Sequence, residues 1–451
     1  MLCYTDCGGT TAILQAVKFS LTEIAAATNG AVADVHSDVV IDGATQDSRE
    51  ISRDQLFIPL VADRDGHDFI DTAVTSGAGA YLTHRSPGSG AAVEVADTTA
   101  ALRKLAQAAR ARIEGPVIAI TGSVGKTSTK DLLAGALGDA FATHASTRSF
   151  NNEIGVPLTL INAPDTTHTA IIEMGARGIG HISTLCEIAS PTVGIITTVA
   201  QAHTGEFGSV ENIAIAKGEL VEALPSSGLA VLNGDNPLVA AMSSRTSASV
   251  LTFGTNAGND IHVRAVELDD ELRATFTIAT QWGDVVAQPA TRGAHMATNV
   301  AAAVGTALWA GASIAQVEKG VAASTVSPWR MEVAHTASGA LIINDSYNAN
   351  PTSMRGALES LAALPHNRKI AVVGYMAELG ASEGEDHQEI AQEIRDAGFE
   401  LVAVGTELYG VDPVDPLAYL DELDDSTAVL VKGSRSAGLE KVAEALISGP
   451  G

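Results

Sequence analysis

Cysteine is scarce in this 451-residue chain, limited to Cys3, Cys7 and Cys186. Three thiols give no disulfide framework, and the count suits a reducing compartment. Cys3 and Cys7 form a C-x3-C pair with no second pair to complete it, which argues against a zinc site. Aromatic residues are also few, at 4% of the chain, while Ala and Gly are abundant. That balance favours an α/β protein with closely packed helices. No apolar run reaches the roughly 18 residues a membrane span requires. The N-terminus has neither the basic start nor the apolar core of a signal peptide, so a cytoplasmic protein is expected. Positive charge is the last shortage: 27 basic residues face 53 acidic ones, for a net charge of -26. Such a surface repels nucleic acid and anionic membranes, and neither is expected as a partner. An anionic nucleotide would need a locally positive pocket, built from helix N-termini, a few Lys and Arg, and metal ions.

The length implies two to four domains, and the hydrophobic share of 46% with 18% charged residues marks a folded chain. Residues 1–16 precede the first clear pattern and read as a disordered tail. A compact segment follows, with short strands at Val39–Ile41 and Gln55–Leu60 and a helix over Thr98–Arg112. Ser20 or Thr22 could cap its opening helix. After Gly115-Pro116 the pattern becomes strand–helix alternation, with apolar runs at Val117–Ile120, Ala170–Ile172, Val193–Ile196 and Leu229–Leu232. Alternation of this kind predicts a parallel sheet covered on both faces. A β-rich passage over 248–290 leads to an Ala-rich helix at Met296–Ala310, and Ser327-Pro328-Trp329 marks another boundary. Strand-like runs at Leu341–Ile343, Ile370–Val373, Leu401–Val404 and Ala428–Val431 complete a further α/β unit. Three domains are expected, over 17–113, 114–328 and 329–451: a smaller α/β domain, a central parallel sheet carrying a phosphate loop, and a Rossmann-like α/β domain.

The strongest single motif is Thr121-Gly122-Ser123-Val124-Gly125-Lys126-Thr127-Ser128, which follows a strand and opens a helix. That context is what a phosphate cradle needs: glycines let backbone N–H groups approach phosphate oxygens, and the helix N-terminus favours anions. Lys126 would neutralise the β- and γ-phosphates, and the Thr127 hydroxyl would hold Mg2+. Ile120 stands where the longer Walker pattern has its first glycine. Glu173 ends a second parallel strand, at the edge where ligands collect in open α/β sheets. His203 lies just beyond the end of the strand Val193–Ile196. Hard oxygen ligands with one imidazole suit Mg2+ or Mn2+. Lys217 falls on a helix, where a lysine is ordinarily solvated.

Further segments carry a resemblance. Asn151-Asn152-Glu153-Ile154-Gly155-Val156-Pro157, Asp345-Ser346-Tyr347-Asn348-Ala349-Asn350-Pro351 and the short phosphate loop T-G-[ST]-x-G-K-[ST] are similar to Mur ligases over about residues 18–449. Within the family, the chain resembles the branch that adds D-alanyl-D-alanine to UDP-N-acetylmuramoyl-tripeptide. The resemblance implies ATP as cosubstrate, two Mg2+ ions, and a carbamylated Lys217 as ligand to the second. It implies catalytic roles for Lys126, Lys217 and His203, and metal ligation by Thr127, Glu173, His203 and Lys217. ATP would be held by Gly122 to Ser128, by Asn299 of the H-x-x-x-N motif that begins at His295, by Arg330 and by Asp345. Substrate contacts would fall to Ser48 and Arg49 of a D-S-R motif, Asn151, Asn152, Tyr347, Asn348, Asn350, and Arg435 of Lys432-Gly433-Ser434-Arg435. The domain over 17–113 would then bind the UDP part, the central domain ATP, and the last domain would complete ligation, in a monomer. Three features depart from the family pattern. Tyr375 stands where an acidic residue is usual, Met296 lies beside the adenine motif where Asn or His is common, and residues 1–16 have no counterpart.

Two other readings remain. One is a different ligase of the superfamily, of the diaminopimelate-adding or folylpolyglutamate synthase type; the D-N-P-R motif of the former is absent. The other is a P-loop protein that binds nucleotide without ligating, for which Glu173, His203 and Lys217 together would have no use. Deleting residues 1–16 is expected to leave the melting temperature and the ligase rate unchanged. A drop of several degrees, about 1 kcal/mol or more for a chain of this size, would make the tail structural.

Overall fold

Strand–helix alternation governs the computed structural model, which describes residues 4–5, 11–12, 18–33, 39–147, 150–200, 207–420 and 423–448. The chain divides into two units assembled from separate stretches. The first comprises Met1–Ala119, Phe141–Met174 and Ser183–Val193; the second comprises Ile120–Ala140, Gly175–Ile182 and Gly194–Gly451. Most of the tail lies outside the described residues, as does His203. Of the four tail residues described, Tyr4–Thr5 pairs antiparallel with Thr11–Ala12.

In the first unit, Ser20 caps the helix Leu21–Thr28. Its hydroxyl accepts the Glu23 N–H while the Glu23 carboxylate reaches back to the Ser20 N–H, a reciprocal arrangement that satisfies two donors at once. A five-stranded sheet runs in the order Ala31–Ala33, Ala92–Glu94, Ala80–Thr83, Leu56–Phe57, Ala44–Thr45. Only its first pair is antiparallel. The helix Thr98–Arg110 starts at Asp97, whose carboxylate accepts the Ala100 N–H, and buries Leu102 and Leu105. Arg110 at its end donates to the carbonyls of Ala189 (2.9 Å) and Ile113 (2.8 Å), which suits a cation at a helix C-terminus. Asn162 exchanges two hydrogen bonds with the backbone of Ala44, both at 2.9 Å. Within the same unit Thr143–Ala145 pairs parallel with Thr169–Glu173.

In the second unit, Leu229–Asn233, Ser249–Gly254 and Ile261–Leu268 pair in parallel. Ala274–Thr280 and Gly283–Ala287 then extend the sheet antiparallel. These four later strands are the β-rich passage expected over 248–290. The helices Lys126–Gly138 and Ile314–Ala322 cross at two glycines: a Cβ on Gly320 would sit 2.2 Å from the Gly135 carbonyl oxygen. Only residues without a side chain permit that approach.

The last sheet runs Glu332–His335, Leu341–Asn344, Thr427–Lys432, Arg368–Gly374, Glu400–Val404, parallel except at its first pair. Alternate residues face opposite sides. Ile343, Ala371, Val373 and Leu430 pack on the helices Pro351–Ala363 and Glu383–Asp396 through Leu361, Ile390 and Ile394. Ile342, Val372, Val429 and Val431 pack on the helix Glu440–Ser448 through Ala443 and Leu446. Each fully buried aliphatic side chain contributes about 1.5–3 kcal/mol. Among the described residues, no helix is long and apolar enough to cross a membrane.

One buried imidazole gives this fold a pH dependence. His144 donates its Nε2 proton to the Thr159 carbonyl at 3.0 Å. Burial, opposed by that hydrogen bond, lowers its pKa from 6.5 to about 4. The unfolded chain therefore binds the extra proton first, and stability is lost as pH falls from 6.5 towards 4. Relative to His144→Gln, the wild type is expected to lose about 2 kcal/mol over that window, after allowance for partial exposure. Urea unfolding at several pH values measures it; an equal pH slope in the two proteins would exclude His144 as the cause.

Candidate active site

The strand Val117–Thr121 is buried along its whole length and delivers the chain into the phosphate loop. Two glycines there are obligatory. Gly122 and Gly125 have φ of 152° and 89°. A Cβ would sit 1.9 Å from Thr197 Oγ1 at the first and 2.4 Å from Asn299 Oδ1 at the second. The loop is braced by side chains the sequence did not advertise. Thr197 Oγ1 donates to the Val124 carbonyl at 2.6 Å, and Asn233 Nδ2 donates to the Thr197 carbonyl at 2.7 Å. The Ser123 N–H donates to the Thr198 carbonyl (2.8 Å). Gly125 caps the helix Lys126–Gly138 without any side-chain hydrogen bond, and the N-terminal end of such a helix favours an anion. The Lys126 ammonium lies over the loop and donates to the Gly122 carbonyl at 2.7 Å.

Lys217 sits on the helix Val210–Glu222, not solvated but 3% exposed. Burial first, and the Lys126 charge second, push its pKa well below the ordinary lysine value. Among the described residues no carboxylate forms an ion pair with it.

Arg330 is gathered to the same loop. Its Nη2 donates to Thr127 Oγ1 at 2.9 Å, and its guanidinium lies 4.1 Å above the Tyr347 ring. The neighbours Trp329 and Met331 both adopt left-handed backbone, with φ of 59° and 52°. Asp345 holds the arginine's segment in place: one carboxylate oxygen accepts the Met331 N–H (3.1 Å), the other the buried Lys432 ammonium (2.5 Å). Lys432 also donates to the Asn348 carbonyl at 2.9 Å. Asn299 receives a bond from Thr129 Oγ1 (3.3 Å) and donates weakly to the Met296 sulfur (3.5 Å). The neighbouring His295 is neutral-favouring through burial and rests on Ser360 Oγ at 3.2 Å. The structure thus brings together Lys126, Thr127, Arg330, Asp345, Tyr347 and Asn348.

Other expected site residues belong to the first unit. Glu173 is 1% exposed, accepts from Asn151 Nδ2 at 2.9 Å, and has its own N–H on Ser146 Oγ at 3.1 Å. Asn152 accepts the N–H groups of Ile154 and Gly155 (3.2 and 2.9 Å). Ser48 is buried, whereas Arg49 is exposed and locked on Asp47 by bonds of 2.8 and 2.6 Å. That guanidinium holds the Asp47 carboxyl at about 2. In the second unit Asn350 is spent on structure, accepting the Ser353 N–H at 2.9 Å as a helix cap. His203 falls outside the described residues.

Sequence reasoning missed Asp131, which accepts the Ser327 N–H at 2.9 Å and pairs with the buried Lys130 at 3.1 Å. It also passed over Ser434, 2% exposed, whose Oγ accepts the Ala377 N–H and whose own N–H donates to the Tyr375 carbonyl, both at 2.9 Å. Polar residues at the carboxyl ends of strands were the available signal in the case of Ser434; Asp131, in mid-helix, gave none.

The Mur ligase middle domain matches residues 120–307, and the glutamate ligase domain of Mur ligases matches residues 329–446. The UDP-N-acetylmuramoyl-tripeptide–D-alanyl-D-alanine ligase of Mycobacterium tuberculosis is 37% identical over 96% of this chain and 98% of its own length. Among solved structures, MurF from Acinetobacter baumannii is 28% identical with a TM-score of 0.87, covering 96% of this chain and 99% of that one. MurF ligase from Thermotoga maritima, solved in complex with ADP, is 27% identical with a TM-score of 0.78, covering 89% and 96%. The chain belongs to the Mur ligase family, in the branch formed by the UDP-N-acetylmuramoyl-tripeptide–D-alanyl-D-alanine ligases.

Proposed function

We propose that this chain joins D-alanyl-D-alanine to UDP-N-acetylmuramoyl-tripeptide in peptidoglycan precursor synthesis, converting ATP to ADP and phosphate. The observation that carries this reading is the match to the mycobacterial ligase, which spans nearly the whole of both chains. The tripeptide's terminal carboxylate attacks the γ-phosphorus, the bond to the β-phosphate oxygen breaks, and an acyl phosphate and ADP result. The dipeptide's amino nitrogen then attacks the acyl carbon, the carbon–oxygen bond to phosphate breaks, and the amine proton leaves.

The first step brings an anionic nucleophile to an anionic phosphate, so catalysis is chiefly positioning and charge neutralisation. The loop Gly122 to Ser128 and the start of the helix Lys126–Gly138 cradle the phosphates, with backbone N–H groups donating to phosphate oxygens and Lys126 moving from the Gly122 carbonyl to meet them. Arg330 and Asp345, fixed against each other through Met331, address the nucleotide, and Asn299 the adenine. Ser48, Arg49, Asn151, Asn152, Tyr347, Asn348 and Arg435 are the residues we assign to the peptide and UDP substrates.

The donor chemistry fits Mg2+. Thr127 and Glu173 are buried oxygen donors at 4% and 1% exposure, and a dry, deprotonated Lys217 is the form that combines with CO2 to give a carbamate. Thr127, Glu173, His203 and carbamylated Lys217 would hold the ions. Bound there, Mg2+ supplies positive charge that offsets the charge on the phosphates. We assign the chain three domains, over 17–113, 114–328 and 329–451, and place it in the cytoplasm.

Two substitutions test the chemistry. Lys126→Ala is expected to cut ADP formation by about a hundredfold or more, with the circular dichroism spectrum unchanged because the loop is local. Normal ATP turnover in that variant would displace the active site from this loop. Lys217→Ala is expected to lose ligation on a similar scale and to recover part of it with added short-chain carboxylates. Full activity without them would remove the carbamate from the mechanism.

A further inference from the structure

The loop after the strand Arg368–Gly374 carries none of the residues assigned above to the nucleotide, and it lies where the topology of the last sheet diverges. Arg368–Gly374 and Thr427–Lys432 are adjacent parallel strands. The helix after the first, Glu383–Asp396, covers one face of the sheet, and the helix after the second, Glu440–Ser448, covers the other. The two loops must therefore diverge, and ligands of open α/β sheets bind in the opening that such divergence leaves at the carboxyl edge. The floor is backbone: a Cβ on Gly433 would lie 3.3 Å from the Gly374 Cα.

One lip carries Arg435, whose guanidinium lies 4.2 Å over the Trp329 ring and pairs with Glu440 at 2.7 Å. The opposite lip is Tyr375, whose side chain is fixed by two neighbours. Its hydroxyl donates to the Glu383 carboxylate. The ring stacks on His387 with centroids 5.6 Å apart and planes 23° from parallel. His387 is itself fully buried and immobilised, donating from Nδ1 to the Glu383 carbonyl (2.6 Å) and accepting the Met376 N–H at Nε2 (3.0 Å). Ser434 ties the two lips together through its bonds to Tyr375 and Ala377, so the width between them is set. Tyr375 remains half-buried, so the residue is not sealed from solvent. A guanidinium on one loop and a rigid aromatic side chain on the other suit a short peptide with a free carboxylate and small apolar side chains.

We propose that Tyr375 determines specificity for the amine component, its ring forming the wall against a methyl side chain of the dipeptide while Glu383 and His387 hold the ring in position. This rests on the reading of the reaction above. The alternative is a purely architectural tyrosine that fastens helix to strand.

Steady-state kinetics of Tyr375→Ala and Tyr375→Phe, with D-Ala-D-Ala and the bulkier D-Ala-D-Leu, separates these. For Tyr375→Ala the KM for D-Ala-D-Ala is expected to rise about tenfold, the scale of a lost methylene-sized contact, with the KM for ATP and for the UDP-tripeptide within about twofold. The preference in kcat/KM for D-Ala-D-Ala over D-Ala-D-Leu is expected to fall by a similar factor. Tyr375→Phe keeps the wall and loses its tether, so a smaller rise confined to the dipeptide is expected; it decides the matter if the alanine variant does not fold. An unchanged dipeptide KM, or all three KM values rising together, overturns the role of Tyr375. A wild-type protein unable to use D-Ala-D-Ala at all overturns the reading of the reaction itself.

Discussion

Like charges have to meet in this protein, and the placement of its few cations answers that constraint. Against a net charge of -26, positive groups are concentrated around the phosphate loop: Lys126 over its mouth, Arg330 on Thr127, and Lys217 buried within range of the Lys126 field. A buried ammonium loses its hydration, and a second cation nearby disfavours its charge further. The structure resolves this by disfavouring the proton on Lys217. On our reading of that lysine, carbamylation then turns repulsion into attraction, since the product is an anion beside Lys126. A solvated lysine at the same position would stay protonated and could not take that route. Burial is thus what makes Lys217 chemically distinct from the exposed lysines of the chain.

The glycine-rich loop after the strand Val117–Thr121 is shaped by what it lacks. Gly122 and Gly125 leave room for Thr197 Oγ1 and Asn299 Oδ1, which occupy the volume a Cβ would claim. Thr197 in turn bonds to the Val124 carbonyl and is held by Asn233. The loop's shape therefore depends on polar residues at the carboxyl ends of neighbouring strands as much as on its own glycines. Neutral bonds of this sort contribute about 1 kcal/mol each, but their larger effect is to keep the N–H groups convergent before any anion arrives.

Much of this was legible in the sequence because periodic burial leaves a periodic record. The strands Val117–Thr121, Leu229–Asn233 and Thr427–Lys432 lie within a residue or so of their apolar runs, since both faces of each are covered. Short strands such as Ala31–Ala33, exposed or half-buried throughout, left too little contrast to detect. Motifs told residue type but not use. Asn152 and Asn350 read as substrate contacts, and the Oδ1 atom of each also accepts local backbone N–H groups, because Asn satisfies a helix start as readily as a ligand. The pair Tyr375–Glu383 and the bond from Ser327 to Asp131 depend on loop paths, which no periodicity encodes.

Arg330 shows how backbone, packing and charge converge on one side chain. It is flanked by two non-glycine residues in left-handed backbone, a conformation that costs about 1–3 kcal/mol per residue and persists only where the surroundings over-determine it. Those surroundings are identifiable. Asp345 takes the Met331 N–H, Lys432 fixes Asp345, and Arg435 stacks on Trp329. The guanidinium then lies over the Tyr347 ring with one arm on the Thr127 hydroxyl. A lysine could supply the charge but not the planar stacking and the directed bond together. The strain is retained because it turns a cation from one part of the chain onto the first turn of the phosphate-loop helix, and the Asp345–Lys432 ion pair, buried at the edge of the last sheet, is what keeps it there.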